Sequence, residues 1–454
     1  MEASADRGTW NSRLGFIMAA AGSAVGLGNI WAFPNQVASN GGAAFLLVYL
    51  VCCFSVGYPL MVAELTIGRH TGRNPVGAFR ALAPGSRVYA LIGFWGILCG
   101  VGIHAFYNVI AGWTLAFVFE EVTYAAGATG LSQVLSDLSH GHKNALFSCL
   151  FMVATVTIVA DGVSSGIERA TKTMMPALLV ILLAMIAYVI FQEGSREGLR
   201  LYLQPDLSKI NARLVLNAMG QAFFSLSLGI GTLITYGSYL DRKQNIPRAA
   251  AFVTGADISI AFLAGFLIIP AMFVAQRSGI QIFDDQGNLV SSTGLVFNTL
   301  PNLFHTLGPV GGVLGLLFFV LLSIAALTST ISLLEVPVAY LFDEWGIERR
   351  RAAIGMGIVG ALLSLIVAYD PSWIDLLVNI FLNVGLPVGG LMICLFLGFV
   401  WKMQPALSEI EEGRPGTLTG PFGKLWPVFI KFFCPILILL VFLNTIGVLQ
   451  WLFG

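Results

Sequence analysis

Two Gly-x-Gly triplets, each set inside a long apolar run and flanked by polar residues, are where this sequence could do chemistry. The first lies in Gly22-Ser-Ala-Val-Gly26-Leu-Gly28-Asn29 and the second in Ser225-Leu-Ser-Leu-Gly229-Ile-Gly231, about 200 residues further on. Small residues alone are a common device for packing helices in a membrane, and they leave the helices continuous. Here Ser23, Asn29, Ser225 and Ser227 flank the glycines, which predicts unwound backbone. At such a break the carbonyls and negative end of one half-helix face a cavity, and the N–H groups of the other half face it with positive polarity. Carbonyl oxygens suit a cation, and amides at a helix start suit a carboxylate. The expected chemistry is therefore the binding of ions and zwitterions, with no covalent step. Gly-interrupted spans at corresponding positions of two halves point to a transporter site near the bilayer midplane.

Other chemistry-bearing residues fit this reading or fall away. Glu64, Asp257 and Glu335 are acids inside apolar runs, where a charge is expensive and marks a functional candidate. Residues 22–28 are no dinucleotide loop, because no strand precedes them. His140 and His142 sit in a connecting loop, where two histidines without further ligands usually form solvated surface. No convergent acid–base, nucleophilic or metal constellation appears, which argues against an enzyme. A channel would need a continuous polar lining, and few charged residues lie within the apolar runs. The six cysteines (Cys52, Cys53, Cys99, Cys149, Cys394, Cys434) all fall in apolar runs, which suggests buried packing instead of a disulfide framework.

The elements that must position these residues are transmembrane helices. Of 454 residues 57% are hydrophobic and only 11% charged, against about 25% charged in soluble domains. The 24 basic and 24 acidic residues cancel, leaving no field to attract nucleic acid. Spanning a bilayer takes roughly 20 apolar residues. Eleven such segments begin near Leu14, Ala43, Val88, Ala145, Met174, Leu214, Ala251, Pro309, Ala352, Ile374 and Trp426, the one at Ala145 being the shortest. They are too long and continuous for barrel strands. The predicted fold is an all-α polytopic membrane protein. With the N-terminus in the cytoplasm, 18 of the 24 basic residues fall inside, from Arg7 and Arg13 to Lys424 and Lys431. Lys143, Arg196, Arg200, Lys209, Arg213 and Arg277 fall outside. The positive-inside rule favours that orientation, with residues 451–454 outside. Residues 19–24 (AAAGSA) look like a signal cleavage site, but the apolar run before them is short and Glu2 and Asp6 precede it, so no cleavage is expected.

The ordered set of motifs resembles the neurotransmitter:sodium symporter family. It comprises residues 22–34 (GSAVGLGNIWAFP), Gly41-Gly42, Tyr58-Pro-Leu with Glu64, Gly166-Ile-Glu-Arg, residues 221–236 (QAFFSLSLGIGTLITY) and Leu327-Thr-Ser-Thr-Ile-Ser. The resemblance runs from Trp10 to about Asp375. It implies an inverted five-helix repeat with helices one and six broken: residues 1–210 as the first half, 211–401 as the second, and 402–454 as a loop and an eleventh helix. It implies a multi-pass protein of the plasma membrane that couples sodium to a small substrate by alternating access; a homo-oligomer is compatible with this reading.

Site residues carry over on the same motifs. A first sodium would be held by the Ala24 carbonyl, Asn29, Ser225 and Asp257, with the substrate carboxylate completing the shell. A second would be held by the carbonyls of Gly22, Val25 and Ala325 and the hydroxyls of Thr328 and Ser329. Thr328 and Ser329 taken alone would be read as bonding back to their own helix. The family usually has asparagine where Asp257 stands. Its carboxylate is expected to supply the negative charge that chloride supplies in relatives, so that chloride is not required. The other reading is a protonated acid bonded to Ser259 or to a backbone carbonyl. Amine-carrying members place an acid where Gly26 stands, so an amino acid is expected, with an amine as the alternative substrate. Ala24, Gly26, Gly28, Ile103, Tyr107, Phe224, Ser225, Ser227, Ile230, Ser329 and Leu333 would surround it. The mainly apolar wall predicts an aliphatic or aromatic side chain.

For gating, the resemblance pairs Arg7 with Asp343 beside Tyr239 at the inner end. At the outer end it supplies Asp375, whose usual arginine partner is replaced by Ala32, leaving Tyr107 and Phe224 as the lid. Gly166 and Pro176 bracket a stretch that either unwinds to release the second sodium inward or forms a static kink. Glu64 and Glu335 are left as structural or gating acids.

Overall fold

The computed structural model of the chain describes residues 7–282, 295–448 and 451. Glu2, Asp6 and residues 452–454 lie outside them. Among the described residues every regular element is helical. We number the principal helices α1 Arg13–Ala24, α2 Gly28–Ser39, α3 Ala43–Thr71, α4 Arg87–Ala125, α5 Gly141–Ala160 and α6 Val163–Val189. They continue with α7 Ala212–Ser225 and α8 Thr232–Gly237. The last are α9 Ile246–Arg277, α10 Val310–Trp345, α11 Arg349–Tyr369, α12 Trp373–Trp401 and α13 Pro421–Thr445.

Nine of these helices are long and apolar enough to cross a membrane, and α1 with α2 forms a tenth span bent by 52°. The eleventh expected span is the pair α7 and α8, each too short to cross alone. The chain therefore runs as one broken span and four continuous ones, then again one broken span and four continuous ones, then α13. The outer surface is apolar, with exposed Val51, Phe54, Leu91, Val153 and Leu362 facing where lipid would lie. Five of the six cysteines are buried and Cys149 is half-buried.

The two breaks have different backbone causes. Val25 ends α1 in extended conformation (φ −76°, ψ 105°), and α2 resumes at Gly28. Between α7 and α8 the chain takes left-handed conformations at Ser227 (φ 53°), Gly229 (φ 83°) and Gly231 (φ 77°). Glycine enters that region freely, whereas serine is strained there. The Ser227 hydroxyl offsets the strain by donating to the Ser23 carbonyl at 3.1 Å.

The breaks lie side by side, and polar groups freed in them are satisfied by neighbouring segments. Gln221 Nε2 of α7 donates to the Gly28 carbonyl at 3.0 Å, and the Gly229 N–H donates to Glu64 Oε1 of α3 at 2.8 Å. Long helices hold the pair in place. α4 packs along α10, and α1 packs against α6, α9 and α10. Gly162 (φ 103°) opens α6, whose first residues, 163–168, form a widened turn that continues into regular helix through Pro176. In this conformation the stretch from Gly166 to Pro176 is helical. Outside the spans, the short helix Met403–Gly413 is fixed through Glu409, which meets Arg69 Nε at 2.7 Å and His70 Nδ1 at 2.8 Å. Burial pushes the Glu409 carboxyl up, but the hydrogen bonds from His70 and Arg69 and the Arg69 charge prevail and hold it below its ordinary range.

Candidate functional site

Three polar side chains from three helices meet at the first break. Asn29 Nδ2 donates to Ser225 Oγ at 2.9 Å and to Asp257 Oδ1 at 2.6 Å, while Asn29 Oδ1 accepts the Gly26 N–H at 3.0 Å. Ser225 Oγ lies 2.9 and 3.0 Å from the two Asp257 oxygens. Tyr49 of α3, which the sequence reading did not single out, closes the cluster with its hydroxyl 3.1 Å from Ser225 Oγ and 3.2 Å from Asp257 Oδ2. Asp257 is wholly buried, and no lysine, arginine or histidine is paired with it among the described residues. Ser259 is not its partner, because that hydroxyl donates to the Gly255 carbonyl on an exposed face. A buried carboxylate with hydrogen-bond donors but no cation is costly unless it meets one or takes up a proton. The Ser225 and Tyr49 hydroxyls beside it are hard oxygens, so an alkali cation fits the carboxylate and these hydroxyls, with Asn29 contributing its own oxygen only if its amide turns from the Gly26 N–H.

A second set of oxygens gathers between α1 and α10. Thr328 Oγ1 donates to the Ala325 carbonyl at 2.9 Å and lies 3.3 Å from the Val25 carbonyl across the interface. Ser329 Oγ is 3.4 Å from the Ala325 carbonyl. Gly22 packs so tightly on Thr328 that an added Cβ would lie 3.3 Å from it. The back-bonding expected of lone hydroxyls is present, but Thr328 also reaches the neighbouring helix, and this joins the two elements of the expected site.

Between the two clusters lies a small cavity. Ala24, Gly26, Gly28, Ile103, Tyr107, Phe224, Ser227, Ile230, Ser329 and Leu333 all line it, as the sequence reading expected. Ser225 does not; it turns away toward Asn29 and Asp257. Three further lining residues were missed: Ser23, Ser332 and Leu386. Ser23 had a signal, being one of the polar residues beside the first glycine pair, and its hydroxyl meets Ser332 Oγ at 2.8 Å. Gly26 is required sterically, since a Cβ there would collide with Ser329 Oγ and the Tyr107 hydroxyl. Tyr107 accepts the Leu27 N–H at 3.0 Å and its hydroxyl also meets the Ser329 side chain, at the start of α2.

One end of the molecule is open and the other closed. A vestibule lined by Trp31, Ala32, Asn35, Asp375, Asn379 and Asn444 leads down to Tyr107 and Phe224, which also wall the inner cavity. Asp375 is exposed in that vestibule, with no ion-pair partner among the described residues and with Ala32 in the same wall. At the opposite end Arg7 Nε meets Asp343 Oδ1 at 2.8 Å, with its guanidinium 5.1 Å from the Tyr239 ring. Arg7 also bonds the Gly72 carbonyl, and Asn74 donates to Asp343 Oδ2 at 2.8 and 3.0 Å. Tyr239 donates to Glu335 Oε1 at 2.6 Å, and Glu335 pairs with Arg349. Glu168, at the start of α6, accepts the Asn11 N–H at 2.7 Å and the Ser12 hydroxyl at 3.0 Å and pairs with Lys172 at 2.5 Å. His140 and His142 share no ligand, since one meets Asp137 and the other Tyr369.

Comparison with known proteins follows this geometry closely. A family model described as the sodium:neurotransmitter symporter family matches residues 7–137 and 124–452. The chain is 34% identical to the sodium-dependent transporter YhdH of Bacillus subtilis, over 97% of this chain and 98% of that one. It is 31% identical to a sodium-dependent transporter of Haemophilus influenzae, over 97% and 98% respectively. Its fold is similar to the crystal structure of MhsT in complex with L-phenylalanine, with a TM-score of 0.84 and 40% identity, covering 97% of this chain and 100% of that one.

The closed end generates a prediction. Arg7→Ala removes an ion pair worth about 1 kcal/mol together with its contacts to Gly72 and Tyr239, so amide exchange in residues 8–12 should quicken roughly fivefold or more. Exchange at the wild-type rate would mean that this pair does not hold the end shut.

Proposed function

The chain belongs to the sodium:neurotransmitter symporter family, and on that premise we propose that it is a sodium-coupled symporter of hydrophobic L-amino acids working by alternating access. The observation that carries the substrate class is the cavity at Gly26. The amino terminus of α2 and the Tyr107 hydroxyl converge there, and the position that an acid would need is crowded by Ser329 and Tyr107. A carboxylate brought by the substrate fits that polarity. Ile103, Phe224, Ile230, Leu333 and Leu386 make the rest of the wall apolar, which suits an aliphatic or aromatic side chain.

Two sodium ions are the cargo that drives uptake. The first would take the Ala24 carbonyl, Asn29, Ser225 and Asp257, leaving a coordination position for the substrate carboxylate. The second would take Gly22, Val25, Ala325, Thr328 and Ser329. Asp257 supplies the fixed negative charge at the first ion, so chloride has no role. The protein resides in the plasma membrane with its N-terminus cytoplasmic, which makes the Arg7–Asp343 end the inner one and the Asp375 vestibule the outer one. Inward release begins with loosening of α6 between Gly166 and Pro176, which borders the second ion.

Uptake of radiolabelled amino acids into proteoliposomes tests the reading. Hydrophobic L-amino acids should accumulate saturably under an inward sodium gradient and not with choline, and Gly26→Asp should abolish this uptake. Uptake of amines in preference to amino acids, or equal uptake without sodium, would reject it. Replacing chloride by gluconate should leave the rate unchanged; collapse of transport would remove Asp257 from its assigned role. Sodium should slow amide exchange across residues 166–176, and equal protection with and without sodium would exclude the release route.

A further inference from the structure

A second group of acidic side chains lies away from the transport pathway and is used by nothing described above. Glu120 and Glu121 sit near the end of α4, and His305 lies on the short helix Leu300–Thr306 that packs over it. This is the vestibule end of the bundle, because α10 runs from Gly315 beside Glu121 to Asp343 in the closed end. His305 Nε2 stands 3.5 Å from Glu121 Oε2 and 3.9 Å from Glu120 Oε1. One ligand atom from each of the three residues lies within 4.8 Å of the others.

The cluster is built to hold charge and lacks enough donors to satisfy it. The Glu121 side chain is fully buried, and neither of its carboxylate oxygens has a hydrogen-bond partner. Glu120 is equally enclosed. It accepts one hydrogen bond, from Ser132 at 2.6 Å, and its second oxygen has none. His305 Nε2, aimed between the two acids, is likewise unpartnered. Gly315 leaves the space that the Glu121 carboxylate occupies, since a Cβ there would strike it. A simple ion triad would leave one uncompensated buried negative charge and several unmet lone pairs, an arrangement that costs stability.

We propose that Glu120, Glu121 and His305 form a binding site for a divalent transition-metal cation of the zinc type. Zinc takes imidazole nitrogen and carboxylate oxygen at about 2.0–2.2 Å, so neighbouring ligands in a tetrahedral shell lie about 3.3–3.6 Å apart. The observed 3.5 and 3.9 Å separations need only slight contraction. One nitrogen and two carboxylates leave a fourth position for water, and a divalent ion neutralises the two negative charges of the group. A second layer of contacts orients the ligands. The Tyr124 ring stacks on His305 at 3.7 Å with an 8° interplanar angle, and Ser132 fixes the Glu120 carboxylate. Glu120 and His305 also line a cavity of about 640 Å³, through which a hydrated cation can arrive. The ion would tie the end of α4 to the helix carrying His305.

Calorimetric titration of the purified full-length protein in detergent with zinc chloride, after chelator treatment and desalting, tests the site. One equivalent should bind to the wild type, at least tenfold more weakly to His305→Ala, and with recovered affinity to His305→Cys, which restores a ligand atom. Cobalt chloride should give the wild type the intense visible bands of a tetrahedral centre. His305→Ala should lack them, and sodium-driven uptake by that variant in metal-free buffer should match the wild type, showing that it is folded. Absence of zinc binding in the wild type, or equal affinity in His305→Ala, would overturn the proposal.

Discussion

Everything in the pathway depends on how this chain satisfies backbone groups that its helix breaks expose at membrane depth. In hydrocarbon an unpaired N–H or carbonyl costs several kcal/mol, so an interrupted helix survives only where protein or a polar cavity supplies partners. The supply here comes from neighbouring segments. Side chains of α7 and the turn after it, Gln221 and Ser227, serve carbonyls of the first break. Glu64 of α3 serves the second break, and Asn29 and Tyr107 take N–H groups of the first. The first break thus leans on the second, which ties together two segments about 200 residues apart in sequence. Further oxygens beside the breaks gather at the two candidate ion positions.

How much of this was legible in the sequence depended on chemical contrast. A glycine pair flanked by serine and asparagine stands out in an apolar run, so both breaks and most of the cavity wall could be placed. Asp257 stood out for the same reason and was grouped with Asn29 and Ser225, although its third partner, Tyr49, did not stand out. Tyr49 is one aromatic in the run that opens α3, and nothing in that run separates an inward from a lipid-facing position. Leu386 was missed likewise: a leucine against the cavity and a leucine against lipid look the same when both faces of a helix are apolar. Ser225 was expected at both the cavity and the first ion position, and its hydroxyl lies beside Asn29 and Asp257 and not on the cavity wall; one residue around a helix is 100° of rotation, enough to separate the two. Glu120 and Glu121 were visible as adjacent acids, but their partner His305 comes from a loop helix whose position over α4 no local pattern reveals.

The two ends of the molecule differ in what closes them. The Arg7 end is a web of charge and hydrogen bonding in which Asp343, Tyr239, Glu335 and Arg349 find partners on neighbouring helices and the segments that join them. The vestibule end has aromatic rings over the cavity and a lone exposed Asp375. Shutting the first is directional and sensitive to single side chains. Shutting the second depends on apolar area, which is non-directional and tolerant of substitution.

Glu168 carries a consequence beyond anchoring. One carboxylate receives the Asn11 amide, the Ser12 hydroxyl and the Lys172 ammonium, and so joins the entry to α1 and the first turn of α6 at a single node. Because one carboxylate holds both elements, freeing either strips it of donors that stabilise the other. The N-terminal segment and the start of α6 are thereby coupled, so that loosening one weakens the hold on the other.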